Sequence, residues 1–334
     1  MENKTIKASR DPYIDFLRAF GLLLLVVAHT SAPSVIAAIR TFDVPLMVFV
    51  SALCYKPLRG GYLTYARKRF VRLYKPVFIF LTLFFLAETA SLILIGKPML
   101  NYMQIAGSYL LLNNPSIGYV WIMRVFIIMA LAIPFLYILS QRINWTELCM
   151  IVLSLILIQP LIIWSIGWIE WKILRFALSE TLPYLIGYSA IVLPAFKIKS
   201  LSRKQIFITL GLLLCSIILM FAINGIVSPQ RFKYPPQSLY ILYGLFCSIA
   251  LWSLRPVIGN LPLVSSSAVT YLSSNSMWIY LWHIIPVYAL SPLMDVPGLW
   301  FGRFMTVTIV AILLNMLWHR FLKLLPDRIA KTLG

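Results

Sequence analysis

Charge is what this sequence has least of. Only 12% of its 334 residues are Asp, Glu, Lys or Arg, against about 25% in soluble domains. With 61% hydrophobic residues, too little polar surface remains to face water on every side, and a soluble domain is excluded. Acidic residues are scarcest, ten against 29 basic ones, for a formal charge of +19. That sum alone would suit nucleic acid. The basic residues, however, sit in short clusters between apolar runs, as cytoplasmic loops do, so no nucleic-acid partner is expected. Cysteine is sparse too. Cys54, Cys149, Cys215 and Cys247 lie in or beside apolar stretches and form no CxxC pair, which excludes a disulfide framework, and no metal site is expected. No repeat of about 20–50 residues recurs. A cleavable signal peptide is not expected, because the small residues after the first apolar run lead straight into another.

What the chain does have is long apolar runs. They predict spans at 13–31, 35–55, 76–95, 120–139, 148–166, 178–195, 205–223, 238–254, 269–290 and 300–324. The expected fold class is all-α: a polytopic transmembrane helix bundle of about ten spans, one domain over 1–334. The FDVP sequence at 42–45 breaks the second run, and 96–119 reads as a loop with a partly inserted segment. With the N-terminus inside, Lys and Arg divide 21 to 7 in favour of the cytoplasmic side, with Arg124 left in a span. Both termini are therefore expected in the cytoplasm.

The first span carries Asp15, Arg18 and His29. In an ideal helix the step from Arg18 to His29 turns through about 1100°, within about 20° of three whole turns, and rises about 16 Å. The two side chains then share a face, with Arg18 at the cytoplasmic mouth and His29 deep towards the far surface. Ionisable groups in a span are costly and face a protein interior or a wet cavity, which makes them functional candidates. The plainer alternative sets Asp15 and Arg18 among headgroups and bonds His29 to a neighbouring helix. Arg69 and Arg72 share a face at the start of the third span. Three guanidiniums at one mouth suit a phosphorylated ligand. Equally, a basic cluster there sets topology and meets anionic membrane lipid.

Four stretches together resemble the membrane acyltransferases of family 3. They are the Arg18-x10-His29 pattern in IDFLRAFGLLLLVVAHTSAP, the FDVPLMVFVSALCY segment, Arg69-x-x-Arg72 in ARKRFVRLYKP, and SNSMWIYLWH before the last span. The resemblance covers essentially the whole chain. One departure is Ala52, where the family commonly has Gly in a Ser-Gly pair. The resemblance implies an O-acyltransferase that moves an acyl group, most often acetyl, from acyl-CoA to a sugar hydroxyl. The acceptor would be a surface polysaccharide or its lipid-linked glycan precursor, and the place a bacterial cytoplasmic (inner) membrane. Acyl-CoA would be a donor substrate, with no cofactor held permanently. A basic mouth for the CoA phosphates, with a base about 16 Å deeper, suits that ligand. His29 would deprotonate the acceptor hydroxyl, or carry the acyl group itself.

Other residues have two readings each. Asp43 either orients the His29 imidazole, as a triad carboxylate does, or caps the helix before Pro45. Arg124 either binds the acceptor or forms a structural ion pair with Glu88 or Glu170. Trp121, on the same face, suits a sugar, yet interfacial Trp is common. Tyr280, with Ser276 and His283, falls within about 60° on the ninth span and could line the same cavity. For His283 the reading as an interhelical hydrogen-bonding histidine is the favoured one. A different class of protein, a glycolipid flippase without acyl transfer, would also have many spans and buried charges. The absence of an internal pseudo-repeat and of paired Gly/Pro-broken helices counts against it.

Overall fold

A computed structural model describes residues 10–57, 60–96, 98, 100–293, 296 and 298–326; both chain ends lie outside the described residues. Among the described residues there are helices and no strand. In chain order they are α1 (Pro12–Val27), α2 (Ser34–Ile39), α3 (Asp43–Leu53), α4 (Tyr62–Leu94), α5 (Tyr102–Tyr109), α6 (Trp121–Arg142), α7 (Trp145–Gly167) and α8 (Lys172–Ser179). They continue with α9 (Leu182–Lys197), α10 (Arg203–Asn224), α11 (Ser238–Ser253), α12 (Arg255–Ile258), α13 (Ser267–Ser274), α14 (Ser276–Trp282), α15 (Ile284–Ala289) and α16 (Trp300–Leu324).

Among the described residues, seven segments are long and apolar enough to cross a membrane: Ser34–Leu53, Tyr62–Leu94, Trp121–Arg142, Trp145–Gly167, Lys172–Lys197, Arg203–Asn224 and Trp300–Leu324. The three other expected spans fall short of the ~20 residues a crossing helix needs. α1 and α11 have 16 residues each, and the ninth expected span is divided into α13, α14 and α15.

Local chemistry accounts for these boundaries. Asp11 opens α1 by accepting the Tyr13 N–H, with Pro12 at the first helical position where no N–H is needed. In the divided span, Asn275 leaves helical geometry at φ −108°, ψ 12° within a Ser-Ser-Asn-Ser run, whose side chains compete for backbone bonds. Between α14 and α15 the backbone stays helical, His283 at φ −65°, ψ −21°, and the Trp282 carbonyl loses its helical partner because Pro286 has no N–H to return to it. Pro45 acts likewise near the start of α3. Ahead of it the chain tightens into a 3-10 turn at Arg40–Phe42. α4 starts well before the expected span. Its basic residues are good helix formers, so 33 residues run as one helix of ~50 Å, more than the ~30 Å hydrocarbon core requires.

The core sits where α1, α3, α9, α11 and α14 meet. Leu17, Leu22, Leu46, Phe49, Tyr188, Ile191, Tyr240 and Leu281 are fully enclosed there. Gly244 on α11 lies against the Pro45 ring, an approach that a side chain at that position would block. The periphery is the reverse. α10 buries only Leu213 and Ile217 and turns Phe207, Leu212, Ile218, Leu219 and Ile223 outward. Such a surface is untenable in water and suits lipid.

Candidate active site

The site begins where α1 ends. The helix stops at Val27, and the chain tightens: the His29 and Thr30 N–H groups donate to the carbonyls of Val26 and Val27, three residues back, at 3.0 and 3.3 Å. A 3-10 step turns about 120° rather than 100°, so the ideal-helix alignment of Arg18 with His29 fails in this last turn. Arg303, buried on α16, holds the turn. Its Nε donates to the Thr30 carbonyl at 3.1 Å and its Nη2 to that of Ser31 at 3.4 Å, while Nη1 reaches the Leu293 and Val296 carbonyls. The sequence offered no local hint of this clamp, because Thr30 and Ser31 lie 273 and 272 residues from Arg303.

His29 is bonded to a second histidine. Its Nδ1 lies 2.9 Å from Nε2 of His283, between α14 and α15. The other His283 nitrogen, Nδ1, bonds the Tyr280 carbonyl. A carbonyl only accepts, so His283 Nδ1 carries the hydrogen, and in a neutral ring its Nε2 is then an acceptor. His29 Nδ1 must therefore donate, which leaves its Nε2 with a free lone pair. Tyr119 packs edge-on to the His29 ring, centroids 4.7 Å apart at 89°. The Tyr280 hydroxyl donates to the Tyr119 carbonyl and fixes that ring's backbone. Of the residues expected near Tyr280, His283 stands beside His29, whereas Ser276 does not line the cavity described next.

His29 lines a small polar cavity of about 80 Å³ with Arg40, Asp43, Trp121, Lys233 and Tyr280 among its walls. That is room for more than one water-sized group. Asp43 is wholly buried. Its carboxylate is not bonded to the imidazole: it accepts from Arg40 Nη1 at 2.6 Å, from Lys233 Nζ at 3.1 and 3.3 Å, and from the Val44 N–H at 2.7 Å. The histidine that orients His29 takes the place expected for Asp43, and Asp43 anchors two cations instead. Lys233 also lies over the Trp121 ring, 5.7 Å from its centroid, and the Tyr234 ring meets Trp121 edge-on at 4.8 Å. Burial draws the Lys233 ammonium below the ordinary lysine pKa; Asp43 opposes this and Arg40 reinforces it.

Arg124 on α6 is buried and ion-paired with Glu180, in the bend between α8 and α9, rather than with Glu88 or Glu170. It also lies over the Tyr184 ring at 4.9 Å, and Tyr184 in turn packs on Trp121. Glu180 lies in the turn between α8 and α9, with Pro183 in the first turn of α9, where no N–H is needed.

At the other end of α1, Asp15 gathers Arg10, Arg18 and Ser273. Arg18 reaches Asp15 at 3.5 Å, the Ser273 hydroxyl at 3.0 Å and the Cys54 thiol at 2.9 Å. Arg69 stacks on the Tyr65 ring at 5.4 Å, and Arg72 is exposed. Nothing among the described contacts joins Arg18 to these two.

A family model described as an acyltransferase domain matches residues 11–320. No curated protein and no solved structure matches the chain. The family match spans Arg18 and both members of the histidine pair, and the long apolar helices suit the same reading: the chain belongs to acyltransferase family 3 and is an integral-membrane acyltransferase.

Proposed function

We propose that the protein moves an acyl group, acetyl in the simplest case, from acyl-CoA to a hydroxyl of a surface polysaccharide or lipid-linked glycan precursor. The observation that carries this reading is the tautomer chain from Tyr280 through His283 to His29, which leaves a lone pair on Nε2 of His29, a residue that lines a polar cavity. His29 Nε2 takes the proton of the acceptor hydroxyl. The hydroxyl oxygen attacks the thioester carbonyl, and the C–S bond breaks. The departing CoA sulfur recovers the proton from His29, so the base is restored. His283 is a positioning residue: it holds the ring and receives the Nδ1 hydrogen bond as His29 becomes charged. Asp43 holds Arg40 and Lys233 in the cavity wall.

In this reading Arg18, Arg69 and Arg72 meet the CoA phosphates at the cytoplasmic mouth, and Trp121, Arg124 and Tyr280 surround the acceptor. Arg18 already has Asp15 as a partner, so it would share its fork between Asp15 and the ligand. The topology that fits has about ten crossings, with α1, α11 and the α13–α15 run making short or broken passages and both termini in the cytoplasm of a bacterial inner membrane. The experiment is a comparison of the surface glycan by NMR from cells with and without the gene. An O-acetyl signal lost with the gene and restored by a plasmid copy supports the reading; a glycan unchanged in every acyl signal refutes it.

A further inference from the structure

The cavity beside His29 has more positive charge than it can neutralise. Its ionisable walls are Arg40, Lys233, Asp43 and His29, with the phenols of Tyr234 and Tyr280. Asp43 is the only carboxylate among those lining residues, and it faces two cations. Both are deeply buried, Arg40 at 6% exposed and Lys233 at 3%. Arg40 also has spare donors: its Nε has no hydrogen-bond partner, and its Nη2 reaches only the Gln230 side chain at 3.5 Å. Lys233 has three N–H bonds to give, and its two oxygen partners belong to one carboxylate.

A buried, uncompensated cation is costly, and a site keeps one where an anion will arrive. The downward pull on the Lys233 pKa from burial and from Arg40 has the same remedy, since an anion in the cavity would offset both. Tyr234 and Trp121 add an aromatic wall of the kind a sugar ring packs against. α2 and the 3-10 turn that bears Arg40 adjoin the loop that bears Lys233, so the cations come from two separate chain segments.

We infer that the cavity of Arg40, Lys233 and Gln230 is an acceptor subsite for an anionic substituent, a carboxylate or a phosphate, carried by the glycan that is to be acylated. This rests on the proposed acyl transfer for its placement beside His29, but the binding itself can be tested without turnover. An acidic sugar would enter with its anion on Arg40 and Lys233 and a hydroxyl towards His29 Nε2. A neutral sugar would leave the excess charge unmet and bind less tightly.

The test uses the full-length protein in detergent with three probes: methyl glucuronide, glucose 1-phosphate and methyl glucoside. Thermal unfolding is followed as each is titrated. The carboxylate or the phosphate probe, or both, should raise the unfolding temperature where the neutral glucoside does not, and which one does so names the anion. Lys233→Gln should weaken that response about tenfold or more, the scale of a lost charge-assisted bond, and Lys233→Arg should retain most of it and report that the site still folds. Equal shifts from charged and neutral probes, no shift from either anion, or a response unchanged in Lys233→Gln would overturn the inference. Acetyl transfer from labelled acetyl-CoA is read in parallel. Anion binding without any transfer would leave this subsite standing and remove the proposed reaction.

Discussion

His29 depends on a neighbour that is also a histidine, and the consequence is specific. A carboxylate partner would favour the charged imidazolium strongly; a neutral His283 fixes the tautomer with less electrostatic support. What His283 supplies is an acceptor at one point, 2.9 Å from His29 Nδ1. Gln can present an acceptor oxygen there and Leu cannot. We therefore predict that His283→Gln keeps more acyl transfer than His283→Leu, the latter falling by about 10–100-fold in kcat with acetyl-CoA KM nearly unchanged, a fraction of the ~10²–10⁴ that general-base catalysis supplies. Equal loss in both variants, with intact folding, would sink the tautomer argument. At this scale the sequence singles out His29, because an ionisable group in an apolar run is conspicuous. It was a poor guide to the partner. Asp43 lies close along the chain and looked like a triad member, but its oxygens are taken by Arg40, three residues back, and by Lys233, 190 residues on. A spacing of three is readable on a helix; a loop lysine that far away leaves no local pattern.

Elements, rather than single residues, decide where the two histidines meet. His29 sits past the end of α1, and His283 sits between α14 and α15. His29 lies in a 3-10 turn, outside the 100° periodicity, whereas His283 keeps helical backbone at φ −65°, ψ −21°, its N–H on the Ile279 carbonyl and its carbonyl taking the Val287 N–H. Pro286 has no N–H to return to the Trp282 carbonyl, and Pro286→Ala supplies one at an intrinsic gain in helix propensity of about 3 kcal/mol. Since the backbone at His283 is helical already, the expected outcome is a higher unfolding temperature with transfer activity unchanged. Loss of activity in a folded Pro286→Ala would show that the proline positions His283. The same logic shows why the span boundaries were only partly legible. Apolar runs located the elements, whereas Asn275 and Pro45 set breaks through hydrogen bonds that hydropathy does not register. The basic residues from Arg67 to Lys75 lie ahead of the apolar run at 76–95 yet belong to α4, because Lys and Arg extend helices readily.

Across the whole molecule, two sites lie at opposite ends of α1. Asp15, Arg18, Ser273 and Cys54 form one; His29, His283 and the cation-lined cavity form the other. Arg18 and His29 are about 16 Å apart along the axis, within the reach of an extended CoA arm, which is the physical basis for placing phosphates at one end and chemistry at the other. Arg69 and Arg72 enter this scheme as proposed phosphate ligands at the Arg18 end. If they hold phosphate, Arg69→Ala with Arg72→Ala should weaken acetyl-CoA binding by at least about tenfold at moderate salt, with a smaller deficit as salt rises and screens the wild-type contact too. Binding measured by calorimetry and unaltered in the double variant would return both residues to a topological role.

The central claim is that His29 is the base for acyl transfer. It is tested by the purified protein in lipid vesicles, given labelled acetyl-CoA and an isolated glycan acceptor. Wild type should move label to the glycan, and His29→Ala, folded and still binding acetyl-CoA, should do so at least about 100-fold more slowly. Label transfer by His29→Ala at the wild-type rate would contradict the account.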